Sequence, residues 1–108
     1  MTTIKHKELL EKFIHQLDEN KFYDAHESLE EIWFPRRFEG SDEVKLLKGF
    51  INAAVCFELI KKGRKASSEK VWKNYLKYKP LLHTLDSEYT KEYNTIVLYV
   101  EKIKASYI

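Results

Sequence analysis

The sequence predicts an all-α fold, a single bundle of about five helices built around a central apolar helix near residues 42–62. Three observations predict it. Only three Gly and two Pro interrupt 108 residues, which favours long regular segments joined by short loops. Apolar residues recur at spacings of three and four through most of the chain, the period of one helical face. No stretch alternates apolar and polar residues as a half-buried strand would. A chain of this length is expected to form one domain, residues 1–108, burying about two-thirds of the surface that its unfolded form exposes.

The first helix is expected from Thr3 to Asp18, with Leu10, Phe13, Ile14 and Leu17 on one face and Lys and Glu opposite. Asp18-Glu19-Asn20 then punctuates. A second helix runs from about Lys21 to Trp33 or Phe34 and is expected to stop before Pro35, which disfavours helical geometry in the residue preceding it. Residues 35–41, with Gly40, form a loop that Phe34 and Phe38 are expected to close onto the core. In the third helix Ser41 is the expected N-cap, Asp42 and Glu43 lie in the first turn, and Gly63 stands just past the end. This segment is apolar nearly all round, so it should be central. Ser67 or Ser68 is expected to cap a fourth helix with Val71, Trp72, Tyr75 and Leu76 on one side, ended or kinked at Pro80. A last helix from about Ser87 to Ala105 carries the seam Tyr89, Tyr93, Ile96, Val100 and Ile103.

The N-terminus mixes charges with apolar residues and offers no run long enough for a signal peptide or membrane span; the expectation is a cytoplasmic protein. Its single cysteine, Cys56, lies inside FINAAVCFELI, which excludes an internal disulfide and a Cys-rich zinc site. It is read as a small buried hydrophobe. Net charge is only +2, but its distribution is uneven. Residues 61–79 hold eight basic side chains and one acidic, a block of +7.

The second helix carries the chemistry-bearing pattern His-Glu-x-Leu-Glu-x-x-Trp. With Phe22 at zero on a helical wheel, Ala25, His26, Leu29 and Trp33 fall within one quadrant of it, while Asp24, Glu27, Ser28 and Glu31 point away. His26 therefore faces the core, with Glu30 one turn later and within reach. A second His in place of Glu30 would have made a zinc-protease motif; without it, His26 and Glu30 are at most two metal ligands that need partners from other helices. On the third helix, Glu58 stands on an apolar face, where an unpaired carboxylate is costly, and Asn52 could hydrogen-bond across to the second helix. His26, Glu30, Asn52 and Glu58 could converge beside Trp33. Such a cluster can be a satisfied structural network, a pocket for a small ligand or metal, or an acid-base site with His26 as base.

FYDAHESLEEIW followed by LLKGFINAAVCFELIKKGR resembles the two signature stretches of the domain of unknown function 309 family. The first comprises an aromatic pair, Ala25-His26-Glu27, Leu29-Glu30 and Trp33; the second is matched by Leu47, Gly49, Phe50, Ile51, Lys61, Lys62 and Gly63. Asn52 stands where the family usually carries Gln, and Glu58 near a position that is usually His. The resemblance spans about residues 10–65 and implies a small helical fold with no assigned reaction.

Lys61, Lys62, Arg64, Lys65, Lys70, Lys73 and Lys77, with Lys79, interleave with Trp72, Tyr75 and Tyr78. That mixture has the ingredients of a weak nucleic-acid or anionic-partner surface, or of a solvated lysine face over packed aromatics. The charged faces and the 34–38 loop could instead serve a protein partner. No phosphate-binding Gly loop, nucleophile elbow or complete metal motif is present, so the sequence assigns no reaction and no cofactor. The leading expectation is binding of a small ligand or partner at the polar cluster between the second and third helices.

Overall fold

A computed structural model describes residues 1–107 of the chain. Five α-helices and one short 3₁₀ turn make up its regular structure: α1 (Thr3–Asp18), α2 (Phe22–Arg36), α3 (Asp42–Lys61), α4 (Lys65–Tyr78), the 3₁₀ turn (Lys79–His83) and α5 (Thr90–Ala105). Helix α3 lies between α2 and α4, α1 covers α2, and α5 closes the bundle against α1. Among the described residues no helix is long and apolar enough to cross a membrane.

Local signals explain the element ends. Thr2 caps α1 by accepting from the Lys5 amide at 3.1 Å. The helix buries His6, Leu9, Leu10, Phe13 and Leu17, spaced at three and four, and Asn20 reverses the chain in the left-handed region at φ 60°. Ser41 caps α3 through the Val44 amide at 3.3 Å. At its other end Gly63 adopts φ 73°, and the Arg64 and Gly63 amides donate back to Leu59 and Ile60. This is the back-bonded C-terminal turn that a left-handed residue permits.

As expected, α3 is the central helix: Leu46, Leu47, Phe50, Ala53, Ala54, Cys56 and Phe57 are fully buried. Gly49 makes its fit to α4 possible. A methyl group built there would stand 3.1 Å from the Tyr78 Cβ, closer than ordinary packing allows. Tyr75, Tyr93, Ile96 and Val100 complete the core from α4 and α5.

Four expectations are corrected. Helix α2 runs through Pro35 to Arg36, because in the final turn the missing N–H forfeits a single hydrogen bond and the ring faces solvent. Neither Ser67 nor Ser68 caps α4. The Gly63 turn returns the chain to helical geometry by Lys65, with Arg64 as the cap, and Ser68 is buried one turn inside, donating to the Lys65 carbonyl at 2.6 Å. Phe34 and Phe38 do not close onto the core: they are 56% and 88% exposed. Continuing α2 through Pro35 keeps Phe34 on the outer face of the helix, and Arg37 stacks between the two rings, 3.7 and 4.5 Å from their centroids. Ser28, placed by the wheel on the solvent side, is buried, since α1 as well as α3 packs on α2; its hydroxyl lies 2.7 Å from Gln16 Oε1 and 3.1 Å from the Asp24 carbonyl. Pro80 does end α4, and the chain tightens there into the 3₁₀ turn.

Candidate functional site

Antiparallel packing of α2 on α3 brings three of the sequence-predicted residues together. His26 Nε2 lies 2.8 Å from Glu30 Oε1 on its own helix, and His26 Nδ1 lies 3.2 Å from Glu58 Oε2 on α3. The side chains of Glu58 and His26 are 12% and 20% exposed, whereas Glu30 is 43% exposed. Tyr23, one turn before His26, meets the imidazole edge-on at 5.6 Å between ring centres. Glu27, beside His26 in sequence, is exposed.

The proton count of this triad follows from its contacts. A neutral imidazole has one N–H and one lone pair, so two ring nitrogens against two carboxylates require either an imidazolium or a protonated carboxyl. Burial pushes the Glu58 carboxyl above the usual carboxylate range, against the opposing pull of His26. Both ring nitrogens are occupied, so His26 presents no free lone pair as a base and instead fixes two carboxylates relative to one another. Those carboxylates sit on opposite edges of the ring and do not converge on one point. Among the described residues no group of three or more His, Cys, Asp or Glu is arranged to hold a metal ion.

Glu58 borders a cleft of about 520 Å³ that is also lined by Lys21, Phe22, Tyr23, Asp24, Lys61 and Lys62, three cations against one further carboxylate. Among the described residues, the hydrogen bonding of Glu58 is through Oε2 alone. Lys61 donates to the Asn20 carbonyl at 3.3 Å and lies over the Phe22 ring, so it forms part of the wall. The cleft thus combines one carboxyl group held by His26, an exposed aromatic ring from Tyr23 and a rim of lysines. Glu30 faces the other way, into an acidic groove between α1 and α2 that Asp24, Glu27 and Glu31 also line.

Two predicted members lie elsewhere. Asn52 donates to the Lys48 carbonyl at 2.8 Å and accepts from Asn74 of α4 at 3.5 Å. It does not reach α2, because six residues separate it from Glu58, about 120° around the helix. Trp33 packs against the core and carries Lys48 over its ring at 4.3 Å, two helical turns beyond His26.

The basic block is exposed at Lys61, Lys62, Arg64, Lys65, Lys70, Lys73 and Lys77, while Lys79 pairs with Glu101 at 3.3 Å. Its interleaved aromatics turn inward. Tyr75 is fully buried and donates to Glu101 at 2.7 Å, and Trp72 packs on Tyr75 beneath Lys104.

One polar cluster was missed by sequence reasoning. Glu43, expected only as a first-turn acid, accepts from Ser87 and Tyr93 at 2.7 Å each and from Arg36 at 3.3 Å. Arg36 also grips Glu39 through two 3.0 Å contacts. Since the Tyr93 hydroxyl donates to Glu43, its oxygen accepts from His6 Nε2 at 3.3 Å. The His6 ring stacks on Tyr89 at 3.8 Å. Burial alone would raise the Glu43 carboxyl, but the hydrogen bonds from Ser87 and Tyr93 and the Arg36 charge outweigh it and hold it below the usual range. Burial lowers His6. Nothing in the local sequence marks this cluster, because its members come from α1, α2, α3, α5 and the turn before α5.

Comparison with curated proteins and with solved structures returned no match. The family described as domain of unknown function (DUF309) matches residues 10–71, a span that contains all of α2 and α3 and hence His26, Glu30 and Glu58, and the chain belongs to that family.

Proposed function

We propose that the α2–α3 edge binds a small molecule with a planar body, one hydrogen-bond donor and one acidic group. The observation that carries this is Glu58: a carboxyl group largely withdrawn from water, held by His26 on one oxygen and facing a lysine-rimmed cleft with the other side of its head. A buried acid kept half-paired costs stability, and a bound donor would recover that cost. The Tyr23 ring offers a face for the planar body, and Lys61 and Lys62 attract the acidic group. A cleft of this size suits one metabolite-sized ligand. Glu30 positions His26, and His26 positions Glu58.

The test is a thermal melt of the wild-type chain against nucleoside monophosphates, aromatic amino acids and heteroaromatic carboxylates, repeated with Glu58→Gln, Lys62→Glu and Tyr23→Ala. A ligand at one hundred times its Kd adds about 2.7 kcal/mol, a shift of roughly 10 °C for a domain of this size. The expected result is such a shift in wild type that falls by more than half in each variant. A wild-type Tm unmoved by the whole panel, with His26→Ala alone melting several degrees lower, overturns the proposal and makes the triad a structural tie between α2 and α3.

A further inference from the structure

A second cleft, of about 490 Å³, lies on the other flank of the α3 C-terminus, between α4 and the end of α5. Its floor is apolar: Ile60, Trp72, Leu76 and Tyr107. Leu76 and Tyr107 are 47% and 41% exposed, an apolar surface left open to water. Lys65, Lys73 and Lys104 stand at the rim together with the acid Glu69. Among the described residues, none of these three lysines is within ion-pair distance of a carboxylate. Lys104 lies over the Trp72 ring at 5.1 Å, so one cation is held directly above the floor.

We propose that this cleft binds a medium-chain fatty carboxylate, with its alkyl chain along Ile60, Trp72 and Leu76 and its headgroup among the rim lysines. Three features select that ligand. The net positive rim favours an anion, and lysines that make no ion pair among the described residues can meet it. The trough runs beside α4 from Lys65 to Leu76, about 16 Å at the helical rise, the reach of a medium acyl chain. Nucleic acid is disfavoured because Tyr75 packs against the Trp72 ring and Lys104 lies over it, which takes away the open stacking platform that single strands use and leaves a half-buried ring to line the trough. The trough alone is also too short for a standard protein interface.

The probe is sodium dodecanoate below its micellar concentration, added to the full chain carrying Trp33→Phe so that Trp72 alone reports by fluorescence. The expected result is a saturable change in Trp72 emission that weakens at least tenfold in Lys65→Glu/Lys73→Glu and in Leu76→Asp, and is unchanged in Glu58→Gln. Circular dichroism checks the fold of each variant; Leu76→Ser replaces Leu76→Asp if the latter does not fold. Equal binding of dodecyltrimethylammonium overturns the proposal, because the rim charge then selects nothing. So does an absence of saturation, or unchanged affinity in the charge-reversed variant. A response to phosphatidylglycerol vesicles or to a thymidine 20-mer without one to dodecanoate also overturns it, in favour of a membrane or nucleic-acid surface.

Discussion

Glu43→Ala probes how the N-terminal end of α3 is tied to the rest of the bundle. The substitution removes the acceptor of Ser87, Tyr93 and Arg36 at once. Arg36 keeps Glu39 and Tyr93 keeps His6, so the loss is smaller than three independent bonds. Taking about 1.5–3 kcal/mol for a hydrogen bond to a charged group, and allowing for the partners that remain, the expected loss is about 3 kcal/mol. The carboxylate is 16% exposed, so solvent screening takes little from that figure. In a thermal melt it corresponds to roughly 10–20 °C. Tyr93→Phe keeps the buried ring and drops the hydroxyl, at about 1–2 kcal/mol, and the double mutant should show a coupling of about 1 kcal/mol, because both changes delete the same bond. The pH dependence gives a further check. Glu43 has a folded-state pKa below its unfolded value; its contribution is therefore present above the unfolded pKa and lost as pH falls through the folded one. Urea unfolding of wild type and Glu43→Ala from pH 7 to pH 3 should thus show the two stabilities converging at the acid end. A difference that is the same at every pH, or smaller than about 1 kcal/mol at pH 7, would refute the view that this carboxylate organises the cluster.

Glu58 should show the opposite sign. Its folded pKa is raised by burial, so its favourable contribution is present below the unfolded pKa and lost as pH rises through the folded value; urea melts of Glu58→Gln should gain on wild type from pH 4 to pH 7, and a constant difference would show that its ionisation is not costly. Gly49→Ala should lose about 1 kcal/mol in the same assay, because overpacking against Tyr78 costs about 1–3 kcal/mol and the helix preference of Ala returns up to about 1; a more stable variant would mean that α4 can move aside.

Much of this protein could be read from local pattern. The period of three and four in α1, the Ser41 cap and the Gly63 turn of α3, and the seam Tyr93, Ile96, Val100 of α5 all follow from forces within one helix: hydrogen bonding of its end groups and segregation of its apolar face. The direction of His26 was legible for the same reason, as was its contact with Glu30 one turn away. Where the expectation turned on which neighbour covers a helix, the sequence was silent. Ser28 looked solvated until α1 packed over it, Asn52 met α4 rather than α2, and Phe34 followed a helix that crossed Pro35. Helical periodicity states which residues share a face but not which helix that face meets.

The sequence by itself determined an all-α chain with α3 at its centre, because apolar periodicity, capping residues and the scarcity of Gly and Pro act locally and leave few alternatives. It also marked His26, Glu30 and Glu58 as polar groups on faces where they would need partners. Only the tertiary structure decided that Glu58 comes within 3.2 Å of the imidazole, that the cleft beside it is rimmed by lysines from the start of α2 and the end of α3, and that Glu43 gathers residues up to fifty positions away. Those arrangements depend on the order and crossing of helices, which the burial of the whole core selects at once and no single segment encodes.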